Sequence, residues 1–187
     1  MTWSTFHRRG DVLNAVVETA DRRLDGALPL DVPGVAERFV DDIDLIGALL
    51  LKWHARLSGN IEQALAHEPT DLESAVSGAW RRTAEQMPGV RLLVDRATDQ
   101  PQTEEMAAAM QRARHAERIR LAQAAGLAND ASGRAAAAGA RIERSAREGL
   151  SVKASSPAAA SIRPPRRMPS DRDRESFVRR IKAVLAA

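Results

Sequence analysis

Cysteine is absent from this 187-residue chain, which excludes disulfides, thiolate metal sites and thiol nucleophiles. Tyrosine is absent too, and no stretch alternates β-branched or aromatic residues with polar ones, so no strand is expected. The longest apolar run, Leu45 to Leu51, falls far short of the roughly 20 residues of a membrane span. Residues 1–9 contain no apolar signal-peptide region, and the expectation is a soluble cytoplasmic protein. The phosphate-loop patterns G-x-x-x-x-G-K-[ST] and G-x-G-x-x-G are missing, as are H-E-x-x-H, an EF-hand loop and a G-x-S-x-G elbow. Their absence argues against the families that carry them, and neither enzymatic activity nor a cofactor is expected. Lysine is scarce, with Lys52, Lys153 and Lys182 set against 25 arginines. With abundant alanine, that bias points to GC-rich coding as much as to nucleic-acid binding.

What is present divides near residue 100. Before it lie all three tryptophans and 32 of the 47 Ile, Leu, Val, Met, Phe and Trp residues. Residues 1–100 carry 11 Lys/Arg and 16 Asp/Glu, and residues 101–187 carry 17 and 9. The first half is therefore acidic and able to build a core; the second is basic and rich in Ala, Arg and Pro.

Spacings of three and four residues recur, which predicts an all-α fold. A first helix is expected over Asp11–Leu24, capped by Asp11 and stopped by Gly26. A proline-containing linker follows at 27–34. Val35, Phe39, Ile43, Ile46, Leu50, Trp53, Leu57, Ile61 and Leu65 form one continuous stripe, predicting a single helix over 35–66 with a weak point at Gly59. Leu45, Leu49 and Leu51 widen that stripe, so the helix should pack on two neighbours or on a second copy of itself. Thr70-Asp71-Leu72-Glu73 fits a capping box for a third helix, ended by Pro88-Gly89, and Pro88 opens a short fourth. Beyond Pro101, residues 103–127 and 131–150 have high helix propensity and few large apolar residues.

The expected layout is thus a three- to four-helix bundle over 1–100, an Arg/Ala-rich helical arm over 101–150, a disordered linker over 151–169 and an amphipathic helix over 170–187. In that last helix Phe177, Val178, Ile181, Val184 and Leu185 share a side, away from most of its basic residues.

Three clusters invite a chemical reading. Glu37, Asp41 and Asp44, with Asp42 beside them, fall on one face of the expected 35–66 helix and offer oxygen ligands for a hard cation such as Mg²⁺. The plainer reading is a solvated acidic first turn, and no metal site is assigned. In Lys52-Trp53-His54 the tryptophan belongs to the apolar stripe, and no local carboxylate or nucleophile stands at a spacing that would orient His54 for catalysis. Arg112, Arg114, Arg118 and Arg120, followed by Arg134, Arg141, Arg144 and Arg147, form a basic band suited to phosphate backbone. Interleaved glutamates weaken its field, and the lack of aromatics over 101–170 removes base stacking.

Trp-Ser-Thr-Phe-His-Arg-Arg-Gly (3–10), the segment 44–59 and Asp-Leu-Glu-Ser-Ala-Val-Ser-Gly-Ala-Trp-Arg (71–81) make residues 3–97 resemble a group of small helical proteins of actinobacteria with no established activity. The resemblance implies a bacterial setting and no mechanism. The same half is more loosely similar to the ligand-sensing part of TetR-type repressors, but the linker at 26–34 leaves no room for a helix-turn-helix between the first two helices.

The leading expectation is a non-catalytic interaction or regulatory protein whose terminal helix docks a protein partner through Phe177, Val178, Ile181 and Leu185. Self-association is a related expectation; fold-back on residues 1–100 and adsorption to an acidic membrane are the competing uses of that helix. The alternatives are phosphate-backbone binding through Arg112, Arg114, Arg118, Arg120, Arg141 and Arg144, and an enzyme or small-ligand sensor with a pocket in the bundle.

Overall fold

The computed structural model describes residues 8–66 and 69–155. They are all-α: α1 (Arg9–Arg23), α2 (Val35–Arg38), α3 (Asp42–Leu65), α4 (Leu72–Gln86), α5 (Pro88–Asp99), α6 (Glu104–Ala124) and α7 (Gly133–Ser155). No strand occurs among the described residues, and no helix among them is long and apolar enough to cross a membrane.

Helix ends follow local hydrogen-bond chemistry and shift several expected boundaries. Asp11 is not the cap of α1 but its third residue, and its carboxylate accepts the Arg8 N–H at 3.2 Å. The helix closes at Leu24, whose left-handed backbone (φ 51°) precedes Gly26.

The single helix expected over 35–66 is two. Asp41 accepts the Asp44 N–H at 2.8 Å, while the Asp44 carboxylate accepts the Val40 N–H at 3.1 Å. These reciprocal bonds satisfy orphan donors at a new helix start, and the extended chain at Phe39 separates α2 from α3. Phe39 still reaches the core, so the apolar stripe survives the break. No interruption occurs at Gly59, and the 24 residues of α3 run about 36 Å. At α4 the cap is Asp71 rather than Thr70, accepting from the Ser74 N–H and hydroxyl. Pro88 opens α5 as its spacing predicts, and Thr103 caps α6.

The core does not stop at residue 100. Trp53, Trp80, Leu45, Leu49, Leu57 and Leu93 are buried together with Met106, Met110 and Leu121 of α6 and Ile142 and Ala146 of α7. The described residues up to 153 belong to one compact unit, which corrects the division into a 1–100 bundle and a 101–150 arm. α7 also runs to Ser155, past the expected start of the linker at 151. Small side chains explain the difference. Ala122, Ala135 and Ala138 bury against one another, and a Cβ on Gly139 would stand 1.8 Å from the Arg118 carbonyl oxygen. Backbones that approach this closely gain dispersion contacts without large side chains. A similar approach seats α5 on α1, where a Cβ on Gly89 would lie 2.1 Å from Ala20 and the Gly89 N–H donates to Asp21 Oδ1 at 2.7 Å.

α3 packs on α4, α1, α5 and α6. Leu45 and Leu49, which widened its apolar surface, are therefore covered within the chain; Leu51 remains 72% exposed.

Candidate functional site

The densest polar constellation is built around Glu117, on the inner face of α6. Trp53 of α3 and Trp80 of α4 meet edge to face, ring centroids 5.7 Å apart. Both indole N–H groups are therefore buried in one place, and an indole nitrogen only donates. Glu117 supplies the acceptors: Oε2 takes the Trp53 N–H at 2.8 Å and Oε1 the Trp80 N–H at 2.9 Å. His54 Nε2 stands 3.2 Å from Oε2. Arg91 of α5 lies 3.7 Å from Oε1, with its guanidinium carbon 4.9 Å from the Trp53 ring and 5.6 Å from the Trp80 ring. Burial by itself would raise the pKa of this carboxyl, but the bonds from His54 and Trp80 and the Arg91 charge outweigh it and hold the group at about 2. Arg91 Nε is buried and makes no hydrogen bond in this structure.

The constellation continues as a chain of alternating charge. Arg91 donates to Asp95 Oδ1 at 2.7 Å. Arg147 of α7 grips the same carboxylate with two bonds, 2.9 and 2.7 Å, and donates to Glu143 Oε1 at 3.0 Å. Arg118 reaches Glu143 at 2.8 Å and Arg114 at 3.6 Å. Burial opposes ionisation of Asp95 and Glu143, but Arg147 on the first and Arg118 on the second bring both below the usual carboxylate range. The Asp95 bonds raise Arg147 in turn. The network ties α3, α4, α5, α6 and α7 to one another.

Beside it is a crevice of about 10 Å³ lined by Leu50, Arg91, Glu117 and Glu143 among others. That volume holds a water molecule at most. A ligand-sized concavity, about 510 Å³, lies elsewhere, where the loop after α1 meets the starts of α3 and α6. Leu28, Leu30, Ile43, Leu93, Ala97 and Met106 line it, with Asp41, Asp42, Glu105 and Arg96.

The sequence-expected residues divide four ways. Trp53 and Trp80 are fully buried and Leu50 is half-buried. The acidic cluster has no common face, because the break after α2 turns Asp41 and Asp44 to capping and Asp44 also binds Arg9 at 2.6 Å. No group of three His, Cys, Asp or Glu suited to a metal occurs among the described residues. Of the basic band, Arg114, Arg118 and Arg147 turn to Glu143, Arg120 is partly buried, and Arg112, Arg134, Arg141 and Arg144 are exposed. Phe177, Val178, Ile181 and Leu185 lie outside the described residues.

His54 does have a carboxylate partner, 63 residues away, which local spacing does not reveal. Glu117 still left a trace in the sequence: with Met106, Met110, Ala113, Leu121 and Ala124 it completes an apolar-face spacing of 4, 3, 4, 4 and 3. An acid in such a slot is the mark of a buried carboxylate. Arg91, Asp95 and Arg147 leave no comparable mark.

No protein-family model, curated protein or solved structure matches this chain.

Proposed function

We propose that this chain is a non-catalytic helical interaction protein, acting through its surface and docking a protein partner or a second copy of itself through residues 170–187. The closure of the polar centre supports this reading. Each Glu117 oxygen is taken by an indole N–H, and the crevice beside it is too small for a substrate. His54 faces that same carboxylate, its Nε2 3.2 Å from Oε2. Such a centre holds helices in place and leaves binding to the exterior. The apolar side formed by Phe177, Val178, Ile181 and Leu185 supplies the anchor pattern of a helix that docks in a groove.

Doubly substituting the full-length chain with Phe177→Asp and Ile181→Asp tests the reading. Proteins co-purifying with the wild type should be lost, or its sedimentation should shift to that of a monomer, while the thermal melt stays unchanged. Retention of partner and assembly state by the variant would overturn it.

A further inference from the structure

The sequence interleaves arginine with glutamate over the second half of the chain, and the fold buries two of those glutamates. Glu117 and Glu143 turn inward and are buried. Between residues 106 and 147 the charged residues left exposed are Arg112, Arg114, Arg134, Arg141, Arg144 and, in the turn between helices, Asp130. Arg114 is partly engaged by Glu143. The side chains of Arg112, Arg134, Arg141 and Arg144 make no hydrogen bond or ion pair with any described residue. Between residues 106 and 147 the exposed charge is therefore nearly all arginine, a stretch bracketed in the sequence by exposed Glu104 and Glu105 on one side and exposed Glu148 on the other.

These arginines also stand on a rigid support. α6 and α7 are in backbone contact at Gly139 and Arg118 and are locked to α5 by Arg147. From Arg134 through Arg141 to Arg144 is ten residue steps of α7, about 15 Å of helix, or roughly four base-pair steps at 3.4 Å along one strand. Glu148 ends the run.

We propose that the exposed face of α6 and α7 binds the phosphate backbone of duplex nucleic acid, without reading sequence, through Arg112, Arg134, Arg141 and Arg144. Guanidinium groups donate in a fork that matches phosphate oxygens. The face lacks what other anionic partners need. Leu127, in the turn, is the one large apolar residue exposed on these helices between residues 106 and 147; a membrane-surface helix requires an apolar row, and a protein interface requires a desolvated apolar centre. Neither helix carries Phe, Tyr or Trp, and His115 is the one exposed ring on them between residues 106 and 147, which is no stacking platform for a run of unpaired bases and favours contact with the duplex backbone. This inference goes beyond the docking reading above and uses none of its residues.

The test is fluorescence anisotropy of the full-length chain against a labelled mixed-sequence duplex at about 50 and about 200 mM salt. Four phosphate contacts predict a loss of affinity of roughly a hundredfold between the two conditions. Changing Arg112, Arg134, Arg141 and Arg144 to Gln should abolish most binding and flatten the salt dependence while the thermal melt is preserved, because all four are exposed. The Phe177→Asp, Ile181→Asp variant should bind the duplex as the wild type does, so failure of the docking reading and failure of this one are separable. No binding at the lower salt overturns the proposal. So does equal binding by the four-Gln variant, or binding to phosphatidylserine vesicles with none to the duplex.

Discussion

Two tryptophans packed edge to face bring two indole donors to one buried point, and a buried donor without an acceptor costs about 1–3 kcal/mol. Glu117 answers both with one side chain, its two oxygens each taking one N–H. Removing its charge should therefore be expensive. In Glu117→Gln one of the two acceptors becomes a donor facing an indole N–H, and Arg91 keeps only Asp95 of its two carboxylate neighbours. We expect a loss of about 3 kcal/mol at neutral pH, of the order seen when a buried ion pair is broken from one side, measurable by urea denaturation. The same residue predicts acid lability. Its folded pKa, about 2, lies below the ordinary 4.5, so its stabilisation is present above pH 4.5 and is lost as pH falls towards 2. That shift corresponds to about 3 kcal/mol. Asp95 and Glu143, also lowered, titrate in the same direction, so the telling quantity is the gap between wild type and Glu117→Gln. It should narrow over that pH window; a constant gap would mean that the carboxylate charge is not what stabilises the centre.

At the scale of the element, two glycines should respond in opposite directions. Gly59 sits mid-helix in α3 with open space around its Cα, so Gly59→Ala should stabilise by roughly 0.5–1 kcal/mol through helix propensity and a less flexible unfolded chain. Gly139 has a carbonyl where a methyl would go. Gly139→Ala should force α7 off α6 and cost about 1–3 kcal/mol or more. Thermal melts of the two variants compare them directly. The same contrast explains what the sequence disclosed. The apolar stripe of residues 35–65 and the Pro88 helix start are local patterns and were legible, because periodicity and capping act within a few residues. The division of that stripe into α2 and α3 was not, because hydrophobic spacing ran through it while the competing signal, Asp41 and Asp44 capping a new start, read equally well as acidic surface. The packing of α6 and α7 was hidden for a different reason. It depends on alanine and glycine fitting against backbone, and small residues carry little hydrophobic signal. Of the polar centre, Trp53, Trp80 and Glu117 could be placed inward from spacing, but their meeting depends on three helices crossing at one point.

At the scale of the whole molecule, the composition break near residue 100 and the structural boundary near 153 make different predictions about which fragment folds. If the large apolar residues of the first half were sufficient, a 1–100 fragment would be a stable bundle. The structure removes that option on physical grounds. Such a fragment lacks Met106, Met110, Leu121 and Ile142 from the core, and it lacks Glu117, leaving the Trp53 and Trp80 indoles without their acceptor. Arg91 and Asp95 would face each other with neither Glu117 nor Arg147 to complete the charge chain. We expect the 1–100 fragment to show red-shifted tryptophan emission and a broad, non-cooperative melt, and a 1–155 fragment to melt cooperatively at close to the temperature of the full chain. A cooperative 1–100 fragment with blue-shifted emission would show instead that α6 and α7 are added to a finished core, and the network around Glu117 would then serve the attachment of that pair rather than the folding of the bundle.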